Sequence, residues 1–170
     1  AASLPSSFVW DIEEDPAGDL WVATAAGLAV WQSAADRVVR QDKLAGQSIR
    51  ALRFAAKEGA LWIGTRDAGL LRLDVATGAL TRFAHDPSQV SSLVDDRIYV
   101  LYLDGKGRLW VGTDGGLDRW DAGAFVHFPA NPADPSSLSD GRVRAVLEDD
   151  AGALWVGTSG GGLNRLDPGT

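Results

Sequence analysis

The sequence contains no cysteine and no methionine among its 170 residues. Without cysteine, disulfide bonds and thiolate metal sites are excluded. The sequence therefore does not indicate whether the protein works in an oxidising or a reducing compartment. Long apolar runs are missing as well, since none approaches the roughly 18 to 20 residues that a membrane-spanning helix needs. We therefore predict no direct membrane insertion of this segment.

Basic charge is also scarce. The chain has 16 Lys and Arg residues against 23 Asp and Glu residues, which gives a formal net charge of −7. Binding of phosphate backbones requires a basic surface, so we expect no nucleic-acid partner. Hydrophobic residues make up 45% of the chain and charged residues 23%, which is ordinary for globular proteins and predicts a folded core rather than disorder.

What the sequence does contain is an internal repeat. A Leu-Trp dipeptide opens a strand-like pentapeptide at Leu20, Leu61, Leu109 and Leu154, so the intervals are 41, 48 and 45 residues. Each pentapeptide leads through a glycine-containing turn into a second strand-like segment, and another such segment precedes it. A period of about 40 to 50 residues with room for four short strands predicts the blades of a β-propeller.

The predicted fold class is therefore all-β, a propeller arc of four repeats. The approximate blades are residues 1–46, 47–94, 95–139 and 140–170. A fourth strand follows the first three copies but not the last, so we expect the fourth blade to lack its outer strand. An arc of this kind is expected to be part of a larger ring, or to be completed by oligomerisation.

The simplest interpretation of the Leu-Trp motif is that it packs neighbouring blades against each other. Within each pentapeptide the Trp and the residue two positions later share one face of the strand, so a neighbouring blade can approach over a glycine while the indole fills the gap. The Thr that follows is expected to satisfy a backbone group of the turn. The predicted structural residues are Trp21, Trp62, Trp110, Trp155, Gly64, Gly112 and Gly157.

Residues with catalytic or metal-binding patterns are sparse. His85 and His127, the two histidines, lie in different repeats, lack partners at metal-ligand spacing and are interpreted as solvent-facing. Adjacent acidic pairs such as Asp95-Asp96 would point to opposite faces of a strand, which is unsuitable for paired acid and base catalysis. We predict no catalytic residue, no metal and no cofactor.

The candidate ligand site comes from aligning the first strand of each repeat. Its second position holds an aromatic or arginine residue in every copy, where the neighbouring positions are mostly aliphatic: Trp10, Arg50, Tyr99 and Arg144. The first strand of a blade lines the central funnel, where such side chains suit sugar stacking or carboxylate capture. Asp67 and Asp114 in the adjoining turns are expected on the same rim. The alternative is structural, with the arginines in inter-blade salt bridges and the aromatic rings filling the channel.

The repeats also resemble a known family. The pattern Glu-Asp-x-x-Gly-x-Leu-Trp-Val-Gly-Thr-x-Gly-Gly-Leu-x-Arg-x-Asp, with His-Asp-Pro-x-x-x-Ser-Ser-Leu connections, resembles the two-component regulator propeller repeats. These occur in the periplasmic sensor regions of bacterial hybrid histidine kinases and related signalling proteins, as seven-bladed propellers that in some members sense oligosaccharides. The resemblance implies an extracytoplasmic module of a signalling protein.

Three functions follow as hypotheses. The first is a non-catalytic sensory module that binds a glycan or a small anionic ligand at the funnel. The second is a structural or oligomerisation unit without a ligand of its own, whose partner is another copy of the chain or the remaining blades of a parent propeller. The third is a glycan lyase or hydrolase, since some propellers are enzymes.

Overall fold

A computed structural model describes residues 3–131 and 133–167. The outermost positions of the first and last predicted blades (1–2 and 168–170) and Pro132 lie outside the described residues. The described chain forms fifteen β-strands in four antiparallel sheets, each built from consecutive strands. Helical structure is limited there to three short 3₁₀ turns, at Ser33–Ala35, Asp42–Leu44 and Ala56–Glu58.

The four sheets follow the sequence repeat. The first comprises β1 (Val9–Glu14), β2 (Leu20–Thr24), β3 (Gly27–Gln32) and β4 (Arg37–Arg40). The second comprises β5 (Ile49–Ala55), β6 (Ala60–Thr65), β7 (Leu70–Asp74) and β8 (Leu80–Phe83). The third comprises β9 (Ile98–Leu103), β10 (Leu109–Thr113), β11 (Leu117–Asp121) and β12 (Ala124–Phe128). The fourth comprises β13 (Val143–Glu148), β14 (Leu154–Thr158) and β15 (Gly162–Leu166).

This architecture confirms the all-β propeller arc. The fourth sheet has three strands among the described residues, as its sequence predicts. The first strands of successive sheets contact one another, β1 with β5, β5 with β9 and β9 with β13, so they line the inner side of the arc. No helix in the described part of the chain is long and apolar enough to cross a membrane.

Apolar side chains fill the space between successive sheets. Three clusters form the core, one for each pair of neighbouring sheets, and they contain Trp21, Trp62 and Trp110 respectively. Trp62 and Trp110 are 1% and 0% exposed. Burying a side chain of this size contributes a few kcal/mol at about 25 cal/mol per Å² of apolar surface. The indole of the Leu-Trp motif is therefore a core group in these three sheets.

The glycine of the motif allows the next sheet to approach. A Cβ atom on Gly64 would lie 2.5 Å from Cγ2 of Ile98 in the third sheet. A Cβ atom on Gly112 would lie 2.5 Å from Cγ1 of Val100 and 2.7 Å from Cγ1 of Val143 in the fourth sheet. All three distances are shorter than van der Waals contact, so only glycine fits at these two positions.

The two ends of the arc differ from its interior. In the fourth sheet Leu147 and Leu163 are 61% and 66% exposed, and a Cβ atom on Gly157 would contact only Ala145, at 3.5 Å. Trp155 is half-buried, unlike Trp62 and Trp110. At the opposite end, Phe8 and Ile12 are 70% and 55% exposed. Each end therefore presents an apolar face that no neighbouring sheet covers within the described residues.

The threonine of the motif closes the turn after the second strand of each sheet. Thr24 Oγ1 donates a hydrogen bond to the Gly27 carbonyl oxygen at 2.7 Å and accepts one from the Ala26 N–H at 3.2 Å. The other three threonines donate to the corresponding carbonyl at 2.8 Å, 2.9 Å and 3.1 Å. These bonds confirm the role predicted for this residue.

A second repeated contact was missed by the sequence analysis. In three sheets an Asp six residues before the Trp accepts a hydrogen bond from the indole Nε1–H, at 2.8 to 2.9 Å: Asp15, Asp104 and Asp149. The second sheet has Ala56 at that position. There the Trp62 Nε1–H is buried and has no acceptor among the described residues. Alignment of the repeats contains this signal, because the Asp recurs at a fixed distance from the Trp.

Asp104 shows how tightly this contact is made. Its Oδ2 accepts from Trp110 Nε1 at 2.9 Å and from Arg108 Nε at 2.6 Å, while Oδ1 accepts from the N–H groups of Lys106 and Arg108. Burial alone would raise the pKa of Asp104, but the bonds from Trp110 and Arg108 outweigh it and lower the pKa below 3.8. The stability that the ionised group supplies is therefore lost only as the pH falls through this lowered value.

Candidate functional site

The candidate site is created by four β-bulges. In each sheet, the pairing of the first strand with the second strand skips the second residue of the first strand. The shifts lie between Val9 and Asp11, between Ile49 and Ala51, between Ile98 and Val100, and between Val143 and Ala145. A bulged residue has no cross-strand partner, and its side chain is re-aimed relative to the regular alternation of a strand. The four skipped residues are the predicted ligand-binding residues Trp10, Arg50, Tyr99 and Arg144.

These four side chains form one alternating stack, which we call the cation–aromatic ladder. The Arg50 guanidinium carbon lies 4.4 Å from the centre of the Trp10 ring and 6.0 Å from that of the Tyr99 ring. The Arg144 guanidinium carbon lies 3.6 Å from the centre of the Tyr99 ring. Each such contact contributes about 0.5–1 kcal/mol at an exposed site and more where water is excluded. The bulges thus bring together residues that lie forty or more positions apart in the sequence.

Polar contacts fix parts of the ladder. The Tyr99 hydroxyl donates a hydrogen bond to Asp114 Oδ1 at 3.1 Å, and Asp114 Oδ2 lies 3.4 Å from Arg97 Nη1. Arg144 Nε donates to Ser159 Oγ at 2.6 Å. Arg50 differs, because its Nε–H is buried and has no acceptor among the described residues. Among the described residues, neither Arg50 nor Arg144 forms an ion pair with a carboxylate.

A cavity of about 300 Å³ adjoins the ladder at the rim. It is lined by two arginines and four carboxylates from the turns and connections: Arg66, Asp67, Asp95, Asp96, Arg97 and Asp114. Asp67 and Asp114 therefore share one cavity, and Asp114 connects it to the ladder through Tyr99. Carboxylate oxygens and guanidinium groups in such an arrangement can bind hydroxyl groups and polar ligand atoms.

Several carboxylates on this surface are occupied by structural bonds. Asp95 Oδ1 accepts from the Arg97 N–H at 2.7 Å, and Asp96 Oδ1 accepts from the His85 N–H at 2.8 Å. In another acidic pair, Glu13 Oε1 accepts from the Phe54 N–H at 2.8 Å and thereby joins two sheets. Within residues 3–131 and 133–167, no group of three or more His, Asp or Glu side chains could hold a metal ion.

The interpretation of His127 as solvent-facing is wrong. Its side chain is only 25% exposed, with Nδ1 2.6 Å from Oδ1 of the fully buried Asp118 and Nε2 2.6 Å from the Val90 carbonyl oxygen. Asp118 Oδ2 also accepts from the Val94 N–H. Asp118 and His127 face each other across β11 and β12, so this pair fastens the connection between the second and third sheets. His85 remains exposed, with Nδ1 2.8 Å from the Leu93 carbonyl oxygen.

We expect His127 to hold its proton above pH 6.5. Burial lowers the pKa of His127, but the hydrogen bonds to Asp118 and the Val90 carbonyl outweigh it and raise the pKa above 6.5. The protonated His127 ring then contributes to the free energy of unfolding below pH 6.5, and this contribution is lost as the pH rises through the folded-state pKa. An NMR titration of the His127 ring measures this directly. The variant Asp118→Asn should lower the midpoint, and an unchanged midpoint would contradict the assignment.

A second cavity of about 240 Å³ lies away from the ladder. It is bounded by β12, the connection before the fourth sheet and β15, and its lining includes His127, Asn131 and Asn164. The polar groups of this region bond within the fold: Asn131 Oδ1 accepts from the Ala133 N–H, and Asn164 Oδ1 accepts from the Ser139 N–H. This cavity contains none of the ladder residues and is not the candidate site.

Comparison with solved structures identifies the fold. The extracellular domain of the putative hybrid two-component system BT3049 from B. thetaiotaomicron matches with a TM-score of 0.83 at 23% sequence identity, over 95% of this chain and 23% of that domain. Virginiamycin B lyase from Staphylococcus aureus matches with a TM-score of 0.65 at 14% identity, over 99% of this chain and 58% of the lyase. At these identities the likeness concerns the fold alone.

Sequence comparison identifies the repeat. Histidine kinase P4 of Formosa agariphila is 33% identical over 67 residues, which are 38% of this chain and 5% of the kinase. The chain thus matches only a small part of that protein. The family model of the two component regulator propeller matches residues 3–26, 92–115 and 137–160. Each match ends in the turn after the second strand of a sheet. Three of the four repeats therefore match the model of the two component regulator propeller.

Proposed function

We propose that this chain is a non-catalytic, extracytoplasmic sensory module of a bacterial signalling protein, and that it binds its ligand at the cation–aromatic ladder. The observation that carries the proposal is that the four bulges fall on the four aligned aromatic and arginine residues, Trp10, Arg50, Tyr99 and Arg144. Bulges that re-aim side chains are common beside functional sites. The likeness to an extracellular domain of a hybrid two-component system supports the location and the signalling role.

An oligosaccharide suits the chemistry of this surface best. An aromatic ring binds the apolar face of a sugar, and Trp10 is 48% exposed and has only the Arg50 guanidinium over its ring among the described residues. The adjoining rim supplies carboxylates, including Asp67 and Asp114, that accept hydrogen bonds from hydroxyl groups. Such a site holds its ligand by many moderate contacts and changes no bond in it.

A small anion is the second candidate, and Arg50 favours it. Its guanidinium is stacked on Trp10, while its buried Nε–H has no acceptor in the described structure. A buried donor without a partner is costly, and a carboxylate or phosphate oxygen would satisfy it. Sugars that carry a carboxylate combine both candidates in one ligand.

The carboxylates near the ladder favour a binding role over catalysis. Acid and base catalysis needs two titratable groups on opposite sides of the scissile bond. Asp114 instead accepts from Tyr99 and pairs with Arg97, while Asp95 and Asp96 bond to backbone N–H groups. A lyase or hydrolase would reveal itself by new reducing or unsaturated ends after incubation with polysaccharides.

The proposal is tested by calorimetric titration against neutral oligosaccharides, uronate-containing oligosaccharides and inorganic phosphate. We expect an oligosaccharide to bind and Arg50→Ala and Arg144→Ala each to weaken binding by about tenfold or more, as loss of a charged contact implies. Arg165→Ala is the matched control, because Arg165 is an exposed arginine near an indole, 6.0 Å from the Trp155 ring, on the last strand. Unchanged affinity in both ladder variants would contradict the site, and binding of phosphate alone would favour the second candidate.

A further inference from the structure

His127 makes two hydrogen bonds that a neutral imidazole ring cannot donate together. Its Nδ1 lies 2.6 Å from Asp118 Oδ1, and its Nε2 lies 2.6 Å from the Val90 carbonyl oxygen. A carbonyl oxygen and an ionised carboxylate both accept, whereas a neutral ring has a single N–H. The two bonds therefore require one proton more than a neutral ring beside an ionised carboxylate supplies. When that proton leaves, one of the two bonds is lost.

The position of His127 is basic in each of the three four-stranded sheets. The same register position of the outer strand holds Arg40, Arg82 and His127. Arg40 Nε donates to the Ser3 carbonyl oxygen at 2.8 Å, and Arg82 Nε donates to the Ala68 carbonyl oxygen at 2.7 Å. Each arginine thus fastens a loop segment to its sheet with a permanent charge. His127 makes the equivalent bond to a backbone carbonyl, but its charge titrates near neutral pH.

The connection between β8 and β9 is fastened at two points by the pair of His127 and Asp118. His127 binds the Val90 carbonyl oxygen, and Asp118 Oδ2 accepts from the Val94 N–H at 2.9 Å. The next three residues, 95–97, line the rim cavity of the candidate ligand site. Loss of either His127 bond therefore loosens the attachment of the segment that leads into the rim.

The surroundings of His127 include further charged side chains and the other histidine. Asp134 and Arg165 line the cavity beside His127 and carry opposite charges. His85 lies in the connection, and its Nδ1 lies 2.8 Å from the Leu93 carbonyl oxygen, a contact that needs only one ring proton. Among the contacts of the described residues, a second ring proton is therefore required by His127 and not by His85.

We propose that His127 is a positioning residue for the ligand site. In its protonated form it holds the rim segment 95–97 in place, so a ligand at the rim binds less tightly once the proton is lost. The effect on binding rests on the proposed function, whereas the effect on the rim does not. Coupling between two sites is reciprocal, so a bound ligand should also raise the pH at which His127 loses its proton.

An NMR titration without ligand tests the positioning of the rim. Between about pH 5 and 9, the backbone N–H signals of residues 94–97 should shift with the same midpoint as the His127 ring. His127→Arg supplies the residue type that the first two sheets have at this position, and it should abolish the shift. His85→Gln is the matched control and should leave the shift and its midpoint unchanged. Rim signals that stay constant while His127 titrates would overturn the proposal.

Calorimetric titration with the uronate-containing oligosaccharides tests the effect on binding. Their carboxylates stay ionised over this pH range, so a change in affinity reports on the protein. The affinity should fall at least about fivefold as the pH rises through the His127 midpoint, and in His127→Arg it should not change with pH. A constant affinity in the unmodified chain would overturn the proposal. If no oligosaccharide of the panel binds at any pH while the rim signals still titrate with His127, the ligand site is refuted and the positioning of the rim stands.

Discussion

Replacing Gly112 by alanine should lower the free energy of unfolding by about 1–3 kcal/mol, the usual cost of overpacking a well-packed core. The added Cβ would lie 2.5 Å from Val100 and 2.7 Å from Val143, so the third and fourth sheets would have to separate. Both neighbours are β-branched, which leaves them few alternative rotamers. Urea unfolding followed by fluorescence measures the loss.

Gly157→Ala is the matched control for this prediction. It changes the same position of the same motif, but the new Cβ would make only an ordinary contact of 3.5 Å with Ala145. Its stability should change by less than about 0.5 kcal/mol, as at ordinary surface positions. Equal losses in the two variants would mean that the glycine serves the strand itself rather than the contact between sheets.

Asp104→Ala should lower the free energy of unfolding by about 3–5 kcal/mol, because it removes a buried carboxylate that accepts hydrogen bonds from an indole, a guanidinium and two backbone N–H groups. The substitution leaves the fully buried Trp110 with an unsatisfied Nε1–H and removes the acceptor of Arg108 Nε and of two backbone N–H groups. An orphaned buried donor alone costs about 1–3 kcal/mol. Thermal or chemical unfolding of the variant measures the total.

A double-mutant cycle with Trp110→Phe separates the indole bond from the rest. Phenylalanine keeps an aromatic ring but has no N–H, so Asp104→Ala should cost less in that background. We expect a coupling energy of about 1–2 kcal/mol, within the usual range for residues in contact. Strictly additive losses would show that the indole bond contributes nothing and that Asp104 acts through the turn and Arg108.

The sheets were predictable because the repeat consists of residue types that strands and turns require. Leu109, Trp110 and Thr113 recur at the same spacing in every copy, and the period leaves room for four strands. The three strands of the last sheet, among the described residues, followed from the same alignment. The predicted grouping of Trp10, Arg50, Tyr99 and Arg144 also follows from alignment, because equivalent residues of a propeller lie side by side.

The stacking of these residues could not be predicted. A bulge depends on the hydrogen-bond register between two strands, and nothing in the order Ile98-Tyr99-Val100 states that Tyr99 is skipped. From the sequence, the four side chains were therefore expected to line the funnel separately, without contacting one another. Only the register and the distances show that each arginine lies against an aromatic ring.

Two other contacts were predictable in principle. Asp118 and His127 face each other in a hairpin whose tight turn contains Gly123, so pairing the two strands residue by residue would have placed them together. The Asp that binds the indole recurs six residues before the Trp in three copies. The first contact was missed because His127 was interpreted as solvent-facing.

The Leu-Trp motif packs the sheets together, whereas the bulged residues are proposed to bind the ligand, and one measurement distinguishes these roles directly. The seven tryptophans give separate indole N–H signals in a ¹H–¹⁵N NMR spectrum, which is recorded during titration with the oligosaccharide panel. We predict that a bound oligosaccharide shifts the signals of Trp10 and of the Tyr99 backbone and leaves those of Trp62 and Trp110 in place. Shifts at Trp62 and Trp110 with Trp10 unchanged, or no shift at Trp10 and Tyr99 with any member of the panel, would contradict the account.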